Sequence, residues 1–457
     1  MKKIALFFCV FLFVLNMEAE QENGVIICEN SLETVRWDLE LIRGAKQSIE
    51  MSACYTGGRI LRALLTEISA RLEVCPHLGV FLLISPVFLE ELDKAIIHDL
   101  KKSYPNDFHL TYADNVLEFN SNLIAIDNHV KMLVVDEKYY SAGGTNFEEV
   151  YCTDGTYTPL YHRREEREGK YFPSGTRDQD VVGKGALAKE LRQAFHHLFA
   201  LWQHYNKTRL LEKDPDSFRD RNHYRPIDPS AEQAFVASFE SADALIPLEE
   251  GQIQLILAGP YQKTNKITQK YRELIEHAEK EIVIGSMFFT PEKSIFETLL
   301  KAVNQEVALS VITNGIHEIA PFYNSLFGWG NRRHYFPIFY GRSLYLWQSK
   351  EAQNLSIKPT HVYEYFVKDI VYHKKVMIVD RRYFIIGSYN LGLKSHLSDY
   401  ELALFIDSPE VAKRAQRVID RDIEYSREVT LEEACKWYFD PILAFMGEAQ
   451  LRCLNLL

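Results

Sequence analysis

None of the seven cysteines forms a Cys-x-x-Cys pair, so a structural zinc site is not expected. There is no Gly-x-Ser-x-Gly elbow, which removes the serine-lipase reading, and Gly183-Lys184-Gly185 lacks the spacing of a phosphate-binding P-loop. Positive charge is in short supply: 52 Lys and Arg against 63 Asp and Glu give a formal net charge of -11. A general nucleic-acid coat needs a basic footprint, so nucleic acid is the less favoured partner, although a local basic pocket stays compatible with this balance. Long apolar runs are missing too. Ile4 to Leu15 holds twelve apolar residues, below a comfortable bilayer span, and no other run approaches that length.

What is present at the N-terminus reads as an export signal over residues 1–19. Lys2 and Lys3 supply the positive end, Ile4 to Leu15 the apolar segment, and Ala19 a cleavage site, with Met17 a poor residue two positions before it. An uncleaved anchor is the rival reading. The expected location is therefore outside the cytoplasm: periplasmic, secreted or membrane-associated. Cys28, Cys54, Cys75, Cys152, Cys435 and Cys453 would remain; disulfides are permitted there, but apolar surroundings favour buried free thiols.

The strongest signal is a repeated one. His-x-Lys-x-x-x-x-Asp occurs as His129, Lys131, Asp136 and again as His373, Lys375, Asp380. Seven residues after each Asp come Gly143-Gly144-Thr145-Asn146 and Gly387-Ser388-Tyr389-Asn390. One chance match to the first pattern is expected only about 0.05 times in such a chain. The flanks repeat as well: Ala45 to Ser52 precedes a helical stretch at Ile60–Ala70, and Ala278 to Ser286 precedes one at Ser294–Val303. Strands alternating with helices of ten or more residues indicate an α/β architecture. We expect an N-terminal half at 24–206, a linker at 207–245 rich in Arg, Asp and Pro, and a C-terminal half at 246–457. Helices are expected over Gly185–Tyr205, Val411–Glu424 and Leu431–Ala449.

Residues 130–135 and 374–379 are apolar and strand-like, and positions i and i+2 of a strand share a face. His129 therefore points with Lys131, and His373 with Lys375. A returning strand brings Asn146 and Asn390 back beside each pair, with Gly143 and Gly387 allowing close backbone approach. Lysine charge and amide donors suit the oxygens of a phosphate. One neutral imidazole can attack phosphorus while a second protonates the leaving oxygen. Each half supplies one imidazole, so the halves must face each other; this chemistry needs no metal and no cofactor, and no oligomer is required to complete the site. Asp136 and Asp380 are candidates for chemistry, but bracing the turn through backbone N–H bonds is the favoured role.

Each histidine also needs an acceptor for its other ring nitrogen. Asp399 and Glu401 follow Asn390, and Glu401 is the choice; in the first half Arg177-Asp178-Gln179-Asp180 stands in the matching place, and Asp180 is taken to correspond. The intervals from the two asparagines, 11 and 34 residues, imply about 23 extra residues in the first half, roughly Cys152–Thr176. Such a connection is long, and we expect it to cover the mouth of the site.

These motifs resemble those of the phospholipase D superfamily, over nearly the whole mature chain. The resemblance implies two α/β/α sandwich halves about a pseudo-twofold axis, the active site at their interface, and a phosphohistidine intermediate released by water or an alcohol. His129 resembles the nucleophile and His373 the general acid; Lys131, Lys375, Asn146 and Asn390 resemble the phosphate clamp, with Ser388 and Gly144 at the small-residue position. A Gly-Gly first copy with a Gly-Ser second is similar to phospholipases D proper. The implied activity is hydrolysis or transfer of phosphatidyl groups from a phospholipid at a membrane surface to which the protein binds peripherally. A cardiolipin-synthase-like phosphatidyltransferase and a metal-independent endonuclease are the alternatives. Phe322 to Trp347 holds ten aromatics that would suit an acyl groove, but ordinary core is the favoured reading, and Arg332 and Arg333 are headgroup candidates or solvated cations.

Overall fold

The computed structural model describes residues 23–113, 116–119, 123–155, 175–208, 245–260, 264–316, 322–341, 359–367 and 370–454. The export-signal assignment and residues 209–244 of the linker assignment lie outside these residues, as does most of the expected cover, at 156–174; helix Leu187–Thr208 runs two residues into the expected linker.

Two eight-stranded sheets dominate the described residues. In the first, the strands run in the spatial order Ile246–Leu248, Asn23–Cys28, Asp180–Lys184, Tyr139–Gly143, Met132–Val135, Ser48–Ala53, Gly79–Ile84, Phe108–Tyr112. The second runs Ile253–Ala258, Glu401–Asp407, Tyr383–Gly387, Lys375–Val379, Glu281–Ser286, Ala308–Asn314, Thr360–Tyr365, Ser426–Glu428. Starting from Asn23–Cys28 in one sheet and Ile253–Ala258 in the other, seven strands correspond one to one. Ser48–Ala53 and Glu281–Ser286 each take a parallel neighbour on one side and the antiparallel motif strand on the other. The duplication read in the sequence is thus a duplication of topology. Ile246–Leu248, where the second half was expected to begin, pairs with Asn23–Cys28 and so extends the first sheet.

Strand alternation explains the layers. In the first sheet Ile49, Met51, Leu82, Ile84, Leu133 and Val135 pack against helices Ser31–Gly44 and Gly58–Val74. The opposite face, with Val25, Ile27, Val134 and Val181, packs against helix Leu187–Thr208. The second sheet repeats this: Ile282, Ile284, Leu309 and Met377 face helices Lys266–Glu276 and Lys293–Asn304, and Val376, Ile378, Leu402 and Leu404 face helix Pro409–Glu424. The inner faces of both sheets and the helices 187–208 and 409–424 share one continuous apolar core, so the halves are fused across it. Each half is an α/β/α sandwich, as expected.

Two local expectations are corrected or sharpened. The C-terminal helix is two helices, Leu431–Phe439 and Pro441–Leu454. Pro441 lacks the N–H that would continue the first, and Asp440 restarts the second by accepting the N–H groups of Ile442 at 2.9 Å and Leu443 at 3.1 Å. In helix Phe322–Tyr340 the aromatics Tyr335, Phe336 and Phe339 are buried core, and Arg332 forms a bidentate pair with Glu364 at 2.7 and 2.8 Å, which takes it away from any headgroup. Cys28, Cys54, Cys75, Cys152 and Cys435 are free thiols.

Candidate active site

The motif strands end at the seam between the halves, and the seam is sewn by backbone. The N–H of His129 donates to the carbonyl of Tyr400 at 3.0 Å, and the N–H of His373 donates to the carbonyl of Arg177 at 2.8 Å. Beside these, Asn128 bridges Tyr400, and Gly175–Arg177 runs parallel to Ile370–Tyr372. Each histidine is thereby clamped to the residue preceding a carboxylate of the other half. His129 Nδ1 lies 3.0 and 3.1 Å from the two oxygens of Glu401, and His373 Nδ1 lies 2.5 Å from Oδ2 of Asp178. Both rings are buried, as are both carboxylates.

The first-half acceptor is therefore Asp178, and the assignment of Asp180 is corrected. Ladder register gives the reason. Gly143 pairs with Asp180 whereas Gly387 pairs with Ala403, so the counterpart of Glu401 stands two residues before Asp180. Asp180 instead accepts bonds from Thr34 Oγ1 at 2.8 Å, from the Thr145 N–H at 3.1 Å and from the Thr145 hydroxyl, a brace behind the site.

The lysines bend back on their own motifs. Lys131 Nζ donates to the His129 carbonyl at 2.7 Å, and Lys375 Nζ donates to the His373 carbonyl and lies 2.9 Å from its Nδ1. Neither ammonium has a carboxylate within ion-pair distance among the described residues, though both are buried. Asn146 accepts from the Tyr55 N–H at 3.0 Å, which leaves its buried Nδ2 donor without a protein partner; the buried Oδ1 of Asn390 is likewise unmatched. Buried cations without a carboxylate and a buried amide donor without a partner are what an anion-binding site looks like before the anion arrives. Tyr151 closes one wall, its ring 5.2 Å from that of His373.

Known proteins place this geometry. The family described as "Cardiolipin synthase, PLD-like domain" matches residues 271–423, about a third of the chain. The chain carries a phospholipase D-like domain. Cardiolipin synthase of Geobacillus kaustophilus is 25% identical over 69% of this chain and 50% of that protein. Cardiolipin synthase A of Pseudomonas syringae is 23% identical over 92% of this chain and 72% of that protein. The chain spans about half the length of the first of these relatives. The phosphatidylserine synthase of Haemophilus influenzae superposes with a TM-score of 0.60 at 16% identity, covering 98% of this chain and 99% of that one, and so shares the fold.

Within this phospholipase D-like site the remaining sequence candidates take supporting roles. Asp136 accepts the N–H groups of Lys46, Gln47 and Ser48 at 2.7–3.1 Å, and Asp380 those of Glu279, Lys280 and Glu281 at 2.8–3.0 Å. Both sit at positive φ in the turn beyond the motif strand, so each ties the end of that strand to the start of its neighbour in the sheet, the bracing role favoured from the sequence. Ser388 donates to Glu401, holding the carboxylate rather than the phosphate. Gly144, at the same position in the first half, makes room: a Cβ there would lie 2.1 Å from Oδ1 of Asp178. Asp127, Asp178, Lys394 and Asp399 were missed as site residues. Lys394 pairs with Asp127 across the seam and with Asp399 at 3.1 Å.

The two imidazoles differ electrically. Burial lowers His129 well below the ordinary imidazole value, and Lys131, Lys375 and Lys394 lower it further. Burial and Lys375 push His373 down to about 4, but Asp178 opposes them. Burial alone would raise Asp178; His373 and Lys375 outweigh it and hold the carboxyl below its usual range. Burial and neighbouring Asp399 push Glu401 up to about 8. Burial drives Lys375 down to about 7, so its charge depends on an anion beside it. The donor atoms of His129, Asp399 and Glu401 lie within 4.8 Å of one another, but Lys394 already faces this cluster with a cation of its own.

Proposed function

We propose that this protein is a phosphatidyltransferase of the cardiolipin synthase type, moving a phosphatidyl group between alcohols through a phosphohistidine. The observation that carries the reading is the crosswise wiring: two buried imidazoles, each held on Nδ1 by a carboxylate of the opposite half, beside two lysines with no carboxylate of their own. The similarity to cardiolipin synthases favours transfer over the hydrolytic reading drawn from the Gly-Gly and Gly-Ser pairs.

His129 is the nucleophile. Glu401 as carboxylate accepts the ring proton on Nδ1 and leaves Nε2 with a free lone pair. Nε2 attacks phosphorus as the P–O bond to the leaving alcohol breaks, and His373, as the imidazolium that an ionised Asp178 favours, gives that alkoxide its Nε2 proton and is left a neutral imidazole. Lys131, Lys375 and Asn146 hold the non-bridging oxygens as charge builds on them. An acceptor alcohol then yields its proton to His373, attacks phosphorus and breaks the P–N bond. The substrates are phospholipids met at a membrane surface by peripheral association, and the chain reaches them by export through residues 1–19. No helix among the described residues is long and apolar enough to cross a membrane.

The test is incubation of the purified protein with phosphatidylglycerol, with and without a primary alcohol and with EDTA throughout, reading the lipid products. Cardiolipin or phosphatidyl-alcohol supports the proposal. Phosphatidic acid alone would return the reading to hydrolysis, and cleavage of DNA with no lipid product would overturn it.

A further inference from the structure

The two histidines are wired by symmetry but not equally supported. His373 is held by Asp178, and Asp180 beyond it is taken up by Thr34 and Thr145. Behind His129 stand two carboxylates, because Asp399 precedes Glu401 by two residues and turns to the same side, with ligating atoms of His129, Glu401 and Asp399 all within 4.8 Å of one another. Asp399 and Glu401 are both buried, at 3% and 0% exposure. Two carboxylates enclosed this closely do not both ionise freely, since like charges in a low-dielectric site favour one shared proton. The structure also supplies a counter-cation. Lys394, on the short helix Leu393–Leu397, is gripped by Asp399 at 3.1 Å and by Asp127 of the other half.

We propose that Asp399 and Lys394 are positioning residues that set the tautomer of His129: the Asp399–Glu401 pair holds one proton, and the nucleophile forms only when that proton leaves. This rests on the reading of His129 as nucleophile. With the pair protonated, the Glu401 carboxyl donates to Nδ1, the ring carries its proton on Nε2, and no lone pair faces phosphorus. When the pair loses its proton to solvent, the ring proton moves from Nε2 to Nδ1, where it is donated to the Glu401 carboxylate, and Nε2 is bare. One proton leaves, one relocates, and the imidazole stays neutral throughout.

The surroundings agree with a tuned pair. Lys131 and Lys394 favour the ionised form, as do the Ser388 hydroxyl on Glu401 and the Ser395 hydroxyl beside it; Asp127 opposes it at Asp399. Lys375 faces Glu401 from the second motif strand. Tyr271 and Tyr389 approach Glu401, and Cys54 approaches Asp399, all three neutral because burial raises them. Burial, with Asp127 adding to it and Lys394 opposing, places Asp399 at about 6, and burial with the repulsion of Asp399 places Glu401 at about 8.

The experiment is NMR of the full chain labelled with 15N-histidine, following the His129 Nδ1 and Nε2 shifts against pH, paired with the pH profile of kcat/KM on bis(p-nitrophenyl) phosphate. The wild type should show the two nitrogens exchanging roles in one step. Asp399→Asn removes the like charge and should move that midpoint down by about one pH unit. Lys394→Gln removes the counter-cation and should move it up, while Lys394→Arg restores it. A merely structural role would lower kcat without opposite shifts. Midpoints unmoved by both variants, or moved in the same direction, would overturn the proposal. Opposite shifts in a protein that transfers no phosphatidyl group would keep this inference while sinking the lipid reading, because the NMR midpoint does not depend on the substrate.

Discussion

Oδ2 of Asp178 lies 2.5 Å from Nδ1 of His373, 195 positions later in the chain and in the opposite half. Asp180, two residues on, touches Thr34 and Thr145 instead. Asp178→Asn should therefore leave His373 in the wrong tautomer and lower kcat about 10³- to 10⁴-fold, by analogy with the orienting carboxylate of a triad. Asp180→Asn should leave kcat within a few-fold and cost about 1–2 kcal/mol of stability through weakened bonds to Thr145 and Thr34. Parallel kinetics and urea titrations of the two variants check this, and equal kinetic losses would contradict it.

The motif aspartates make a contrasting case. Asp136 and Asp380 each accept three backbone N–H groups at the opposite end of the motif strand from the histidine, and both are partly exposed. Asp136→Ala or Asp380→Ala should cost about 1–3 kcal/mol each, the penalty of stranding donors, while the shape of the pH–rate profile stays put. Denaturant midpoints at fixed m, with kcat/KM against pH, separate the two effects.

Much of this was legible beforehand, and the reason is periodicity. His129 and Lys131, like His373 and Lys375, sit two apart where the motif strands Met132–Val135 and Lys375–Val379 begin, and the two-residue period of the sequence puts each pair on one side. The duplicated topology followed from the duplicated spacing. The wiring did not follow, because His129 meets Glu401 across 272 positions and only the packing of one half on the other brings them together. The choice between Asp178 and Asp180 was closed to the same argument: a two-residue spacing puts both on one side of an extended chain, so alternation cannot separate them, and only the register of strand Asp180–Lys184 against Tyr139–Gly143 does. Lys394 carried no motif signal in the sequence, and Asp399 stood there only as the acceptor passed over for Glu401. Their meaning comes from Asp127, which approaches from the other half.

Asp399 and Glu401 are not the only acids burial has raised. Asp38, fully buried on helix Ser31–Gly44, is pushed up to about 8 by burial, with Asp180 adding repulsion and the Ser141 hydroxyl opposing. Its folded value lies above its unfolded one. It therefore binds a proton in the folded state that the unfolded chain has released, so it favours folding at acid pH and that contribution is lost as pH rises from about 4 to about 8. Asp38→Asn should raise Tm by several degrees at pH 9 and barely change it at pH 4. Thermal scans at the two values test the sign, and a variant less stable at pH 9 would refute it.

A second asymmetry sits at the seam beside Asp178. Arg177 Nε pairs with Asp422 Oδ1 at 2.7 Å and Lys374 Nζ with Oδ2 at 2.5 Å, all three buried, while the corresponding contact at Tyr400 is a hydroxyl pair with Tyr205 at 3.4 Å. Asp422→Ala leaves two enclosed cations unpaired, which should cost about 3–5 kcal/mol. It also frees Arg177, whose carbonyl holds the His373 backbone. Tyr205→Phe should cost under about 1 kcal/mol. Unfolding curves for the pair of variants decide whether the charged seam carries more of the inter-half adhesion than the neutral one.

The roles of the two imidazoles separate with a leaving group that needs no proton. With bis(p-nitrophenyl) phosphate the first step releases a stable phenolate, so a general acid is dispensable there, whereas attack on phosphorus is not. His373→Ala should still release a burst of p-nitrophenolate approaching one equivalent and then stall, because the acceptor that must break the P–N bond now lacks a base. His129→Ala should give no burst. On a glycerophospholipid, whose leaving alkoxide does need a proton, both variants should lose essentially all turnover. If the burst belonged to His129→Ala instead, the nucleophile would be His373, and the electrical asymmetry between Glu401 and Asp178 would have to serve the opposite assignment.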